Sequence, residues 1–188
     1  MAKRSEVRKI VVVPEGLSTD QDGRYYASDY YMAALDLAKE LAGDDGEIYL
    51  APANTFGAHQ PEDYFGRDYL LETGCSCRVE CVGSSMKRVG YLDTLDNAKY
   101  LKHHLQETGQ WPLGDISLVC NRPHLSRSAL MFRKFGFSIA EVRVSTVMQH
   151  SGRRMVRRLW FYDLPMVQYF YEIAATIFNL GRFYIEKA

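Results

Sequence analysis

At 188 residues the chain suffices for one full hydrophobic core and falls short of two comfortable ones, so a single α/β domain over residues 1–188 is expected. Its 23 basic and 23 acidic residues cancel, leaving no global field for nucleic acid or for an anionic membrane, so any anion site must be local. Cys75, Cys77, Cys81 and Cys120 are too few for a disulfide scaffold. Their Cys-x-Cys-x-x-x-Cys cluster lacks the paired knuckles of a zinc site, so they read as ordinary thiols with no metal.

From Met1 to Lys9 the chain is charged and lacks the apolar core of a signal peptide. Ile10-Val11-Val12-Val13 is a continuous β-branched run, the mark of a strand buried on both faces, and a polar loop follows Pro14-Glu15-Gly16. From Ser28 onward, Tyr30, Ala33, Ala34, Leu37, Ala38 and Leu41 fall at helical spacing, with Gly43 as the stop. Glu47 to Pro52 is a second strand, and Ala53 to Gln60 a second loop. A helix then starts at Pro61-Glu62-Asp63 and runs through Leu71, with acids in its first turn as the macrodipole prefers.

Val79 to Val82 is a third, short strand. Thr94 is the predicted N-cap of a helix whose stripe is Leu95, Ala98, Leu101 and Leu105. Ile116 to Cys120 is the fourth strand and Leu125 to Phe135 the fourth helix. β character resumes from Ser138 to Val144. Gly152-Arg153-Arg154 reads as a hairpin turn, and Arg153, Arg154, Arg157 and Arg158 form either a solvated face or a phosphate-facing patch. The final helix, Leu164 to Ile185, carries Met166, Phe170, Ile173, Ile177 and Leu180, a stripe expected to pack on the sheet or on a second copy. Gln168, Glu172 and Asn179 break that run short of the roughly 20 apolar residues a membrane span needs, so a soluble, cytoplasmic protein is expected.

Strands alternating with helices predict right-handed βαβ units, a mainly parallel sheet and a Rossmann-like three-layer sandwich. In such a fold the loops after Val13, Pro52, Val82 and Cys120 gather at one sheet edge, where ligands bind. They carry polar residues that core packing does not require: Glu15, Arg24 and Asp29; Asn54, His59, Glu62 and Asp63; Ser84, Ser85, Asp93, Thr94, Asp96 and Asn97; and Asn121, Arg122, His124 and Arg127. His124 is the first candidate for chemistry, because imidazole titrates near neutrality and Arg122 and Arg127 favour its neutral form. At the start of the third helix, Asp93 and Asp96 suit a ribose hydroxyl, a cation or an amine better than an anion, although capping alone also explains them. The chain lacks Gly-x-Gly-x-x-Gly after the first strand, a Walker-type loop and a Gly-x-Ser-x-Gly elbow.

Several segments together resemble a known family. Glu62 with Tyr69-Leu70-Leu71-Glu72-Thr73-Gly74, then Asp93-Thr94-Leu95-Asp96-Asn97-Ala98, then Cys120-Asn121-Arg122-Pro123-His124-Leu125-Ser126-Arg127-Ser128-Ala129, and Phe132-Arg133-Lys134-Phe135-Gly136-Phe137, follow the order of motifs in the bacterial YdcF/SanA/ElyC family. Tyr171-Glu172-Ile173 also looks like that family's carboxyl-terminal helix. The resemblance implies a Rossmann-like domain with a pocket lined by Glu62, Thr94, Asn97, His124 and Arg127. One branch of the family is linked with S-adenosylmethionine, and membrane-anchored branches with envelope and lipid-carrier metabolism. The chain departs from the pattern at Asp93, where the family has Asn, at Asp96, where it has Glu, in the turn before His124, and at Ala53-Asn54-Thr55-Phe56, where a glycine pair is expected.

The leading expectation is a small-molecule enzyme, a transferase or lyase, that binds S-adenosylmethionine. His124, Glu62 and Asp96 form the expected catalytic set, and Glu15, Asn54, Thr94, Asn97 and Arg127 hold the ligand. A second expectation is a phosphoester or phosphosugar enzyme in which Arg122, Arg127 and helix N-termini grip phosphate while Asp93 and Asp96 take a divalent cation. The third is a ligand-binding module without catalysis that dimerises through its final helix.

Overall fold

The computed structural model describes residues 7–20, 22–55, 57–82, 91–145, 154–155 and 164–187. Its elements run β1 (Lys9–Val12), β2 (Leu17–Thr19), β3 (Tyr25–Ala27), α1 (Asp29–Ala42), β4 (Glu47–Leu50), α2 (Glu62–Glu72) and β5 (Arg78–Cys81). The second half supplies α3 (Thr94–Glu107), β6 (Asp115–Asn121), a 3-10 turn (Arg122–His124), α4 (Leu125–Lys134), β7 (Ser138–Ser145), β8 (Arg154–Met155) and α5 (Pro165–Lys187).

The pleat decides the layers. Successive side chains of a strand point to opposite faces, so Ile10 and Val12 enter one core with Ile48, Leu50 and Val119, while Val11 enters the other with Tyr49 and Leu118. The first core is closed by α1, through Tyr31, Met32, Leu35 and Ala38, and by Leu70 of α2. The second is closed by Leu95, Leu101 and Leu105 of α3 and Met131 and Phe132 of α4. Phe183 of α5 also reaches it. The result is the expected Rossmann-like three-layer α/β sandwich.

The central sheet has five strands in the order β5-β4-β1-β6-β7, and every neighbouring pair is parallel. The chain winds outward from β1 to β4 and β5, then crosses back over β1 to β6 and β7. The loops leaving β1 and β6 therefore depart in opposite directions and leave a crevice at the carboxyl edge between them.

Four expectations need correction. The stretch after Val13 is a hairpin, not a plain polar loop: β2 pairs antiparallel with β3, and Asp20 Oδ1 accepts from the backbone N–H groups of Asp22 and Arg24 to set the turn. Arg154–Met155 pairs with β2 and completes a second, three-stranded sheet, while Gly152, Arg153, Arg157 and Arg158 lie outside the described residues. The α1 stripe is displaced in part: Ala34 and Ala38 are buried as expected, but Tyr31, Met32, Leu35 and Ala42 are buried where Tyr30, Ala33, Leu37 and Leu41 are only partly so. Asp93, not Thr94, caps α3; its carboxylate accepts from Leu95 and Asp96, and Asp96 returns a bond to the Asp93 N–H, a reciprocal capping box.

Of the two expectations for α5, packing of its apolar stripe on the sheet is not met. Its apolar stripe faces solvent, with Met166, Phe170 and Ile177 each more than 60 % exposed, while Gln168, Asn179 and Phe183 are buried against the body. The polar interruptions in the sequence are thus the inward face. Among the described residues no helix is long and apolar enough to cross a membrane. The four cysteines are thiols outside any disulfide; Cys77 is buried in the first core, Cys75 and Cys81 pack against it, and Cys120 lies in the second.

One glycine holds a close approach. A Cβ at Gly66 would stand 2.5 Å from the Tyr31 hydroxyl oxygen and 2.8 Å from the ring carbon bearing it, and Tyr31 is fully buried. Gly66→Ala is expected to destabilise the chain by about 1–3 kcal/mol through overpacking, read as a lowered thermal midpoint. An unchanged midpoint would show that α2 can move off α1 freely.

Candidate functional site

The switch-point crevice is built by the ends of β1 and β6. Glu15, three residues beyond β1, turns its carboxylate inward, where Oε1 accepts from the Asn121 N–H at 2.6 Å at the end of β6. Ser28 fixes the same loop from the other side, its hydroxyl donating to the Glu15 carbonyl at 2.8 Å and accepting from Tyr31 N–H to cap α1. His124, at the end of the 3-10 turn, stands with Nε2 3.4 Å from Glu15 Oε2 and Nδ1 2.9 Å from Glu172 Oε1. The imidazole thus bridges two carboxylates from opposite ends of the chain.

Arg127, one turn into α4 and only 5 % exposed, completes the cluster. Its Nε donates to Glu172 Oε2 at 2.7 Å and its Nη2 to Glu172 Oε1 at 3.0 Å, a fork-to-fork pair. Nη1 donates to the Thr94 hydroxyl at the start of α3. Nη2 also lies 2.5 Å from His124 Nδ1, which accepts from it when the ring proton is on Nε2. With the proton on Nδ1 the ring donates to Glu172 instead. In either tautomer both ring nitrogens face protein groups.

Charge follows from these contacts. Burial works against the charge of Glu172, but the bonds and charges of His124 and Arg127 outweigh it and draw its pKa down to about 2. Glu172 is therefore a fixed carboxylate. Glu15 goes the other way: burial raises its pKa despite His124 and the Asn121 N–H. Glu62, at the start of α2, accepts from the Gly16 N–H, and burial, helped by Glu15 and Asp63, pushes it up to about 8.

A cleft of about 690 Å³ opens beside this cluster, between α5, the start of α1 and the start of α4. Tyr30, Asn121, Arg122, Ser126, Gln168 and Tyr169 are on its walls, with Arg127 and Glu172 behind. Asn121 Nδ2 and Gln168 Nε2 are buried there without a hydrogen-bond partner. The 3-10 turn and α4 begin here with no side-chain cap and no acid in the first turn. The other three helices packed on the central sheet, α1, α2 and α3, each start on acidic residues.

Of the residues expected from sequence, Glu15, Thr94, His124 and Arg127 meet in one network, and Glu62 joins through the Gly16 backbone. Asn121 and Arg122 line the cleft, whereas Asp93, Asp96, Asn54 and Asn97 are held elsewhere. Asp96 is bound by Arg182, whose Nη2 lies 3.1 Å from Oδ1, and Asp93 accepts from both Arg182 and Asn179. The cation expected at that helix start is the chain's own guanidinium. The Asn54 amide bridges loops, donating to the Leu92 carbonyl at 2.8 Å and accepting from its N–H at 2.7 Å, and Asn97 donates to the Pro52 carbonyl. Of the five pocket residues implied by the family resemblance, only Arg127 lines the cleft. Sequence reasoning missed Gln168 and Glu172, although their spacing of one helical turn within an apolar run marks a shared face.

No family model, curated protein or solved structure significantly matches the chain.

Proposed function

We propose that the chain is a small-molecule enzyme of the YdcF/SanA/ElyC type whose ligand, a nucleoside-bearing amino acid of the S-adenosylmethionine class, occupies the switch-point cleft. The observation that carries this reading is the imbalance of hydrogen-bonding capacity on the cleft walls. The Glu172 carboxylate is already held by Arg127 and His124. Asn121 Nδ2 and Gln168 Nε2 lack acceptors, and Arg122 is exposed beside them. Both nitrogens are closed to water, so a carboxylate reaches them once these side chains turn toward the cleft, and it then recovers the about 1–3 kcal/mol that a buried donor without a partner costs. The uncapped start of α4 favours the same negative charge.

The remaining walls suit the rest of such a ligand. Tyr30 and Tyr169 offer aromatic surface for a base, and the ionised Glu172 gives a sulfonium or ammonium centre a negative neighbour. S-adenosylmethionine would supply an electrophilic carbon for transfer or cleavage. Within the chain, His124 orients Glu172 and faces Glu15, while Arg127 fixes the Glu172 carboxylate. A phosphoester substrate would use the same donors at Asn121, Arg122 and Gln168, but Arg127 and Asp96 are engaged within the protein.

Calorimetry tests the reading. S-adenosylmethionine is expected to bind, and 5′-methylthioadenosine, which lacks the amino-acid carboxylate, at least tenfold more weakly. Asn121→Asp, which replaces a donor by a negative charge, is expected to narrow that difference, the remainder being what Glu172 gives the sulfonium or ammonium centre. Absence of S-adenosylmethionine binding at millimolar concentration sinks the proposal, and magnesium-dependent binding of inorganic phosphate in its place favours the phosphoester alternative.

A further inference from the structure

We infer that the outward face of α5 is the seam of a homodimer, and that the second copy closes the outer rim of the cleft. The face is ordered as a seam. Met166, Phe170, Ile173, Ile177 and Tyr184 are between 41 and 68 % exposed, and with the half-buried Leu180 they alternate spacings of four and three residues. That is the repeat by which one helix meets another. At about 100° per residue they lie opposite Gln168, Glu172 and Asn179, which face the body. Leu180 packs against the second core and Tyr184 takes a hydrogen bond from Lys134 of α4, but Met166, Phe170, Ile173 and Ile177 are turned mostly to solvent.

Area and charge select the occupant. Val167, Tyr169, Phe178 and Ile185 flank the seam at 43 to 77 % exposure. Taking about 150–250 Å² for each large side chain, seam and flanks offer roughly 1,000 Å² of apolar surface, matching the ~800 Å² each partner gives a standard interface. An isolated monomer rarely shows an apolar patch beyond about 600 Å². A helix lying on an anionic membrane would flank its apolar face with Lys and Arg. From Leu164 to Gly181 the one charged residue is Glu172, and Arg127 and His124 hold it inward. The uncharged seam therefore fits an equally uncharged helix, and a two-fold axis through α5 supplies one from a second copy.

The inference reaches the cleft because Tyr169, Ile173 and Ile177 both line it and lie on the outward face. A copy seated on α5 covers that rim and removes water from it. The pairing itself does not depend on which ligand binds.

Sedimentation velocity of the full chain tests it. The expected result is a concentration-dependent dimer at micromolar protein, with Phe170→Glu/Ile177→Glu weakening self-association at least a hundredfold while leaving the circular dichroism and thermal midpoint of the fold in place. Both positions are solvent-facing in the monomer, so the substitutions leave the core untouched. A chain that stays monomeric to 100 µM overturns the inference, as does a dimer that survives the double substitution. Flotation of the wild-type chain, but not of the variant, with phosphatidylcholine or phosphatidylglycerol vesicles assigns the face to lipid and overturns it equally.

Discussion

Glu172→Leu is expected to destabilise the chain by about 3–5 kcal/mol, because it leaves the Arg127 guanidinium buried at 5 % exposure without its counter-charge. The pair is held by two bonds from Arg127 and a contact from His124, so the loss is not that of a surface ion pair. Urea denaturation at pH 7 reads it directly. The double variant Arg127→Met/Glu172→Leu is expected to lose less than Glu172→Leu alone, since an apolar pair carries no unmatched charge. If the double variant is as unstable as the two singles added together, the penalty comes from packing and the electrostatic account fails.

Glu172 matters because it connects α5 to the body, which no backbone hydrogen bond among the described residues does. α5 pairs with no strand, and it is held to the body by Glu172 on Arg127, by Arg182 on Asp93 and Asp96, and by Phe183 in the second core. Arg182 is shifted further toward its charged form, chiefly by the hydrogen bond to Asp96. These contacts orient the helix, and the orientation decides everything placed on it. Polar residues go to the cleft and apolar residues go outward. Turning α5 by half a turn would bury the seam and expose Gln168, Glu172 and Asn179, which is the arrangement that hydropathy alone favours.

Sequence periodicity predicted the sheet because its strands are buried on both faces and read as unbroken β-branched runs, as at Ile10 to Val13. It also placed Leu95, Ala98, Leu101 and Leu105 on the inner face of α3, all of them buried. It failed at the hairpin of β2 and β3, whose three-residue strands are too short to show alternation above the polar background. In α5 the amphipathic pattern was legible but its sign was not, since a stripe tells which residues share a face and not what that face meets. His124, Arg127 and Thr94 were legible as junction residues. Glu172, which pairs with His124 and Arg127 and reaches Thr94 only through Arg127, lies 45 residues beyond Arg127, a pairing that only tertiary folding creates.

A pH titration of stability isolates Glu62. Burial first, then the charges of Glu15 and Asp63, raise its pKa from 4.5 to about 8, with the Gly16 N–H opposing them. The folded chain therefore keeps a proton that the unfolded chain gives up above about pH 4.5. Stability contributed by this group is full below that point, falls as pH rises toward 8 and is lost beyond it. At about 1.36 kcal/mol per pKa unit the total is on the order of 5 kcal/mol. Glu62→Gln keeps an oxygen for the Gly16 N–H but cannot ionise. Its stability is expected to match wild type near pH 5 and to exceed it by a few kcal/mol at pH 9, read from urea midpoints across that range. Parallel curves for the two proteins would mean that Glu62 ionises freely in the folded state. A Glu62 that stays protonated at pH 7 stands behind the Glu15 loop as a neutral acid and not as a second buried carboxylate beside Glu15.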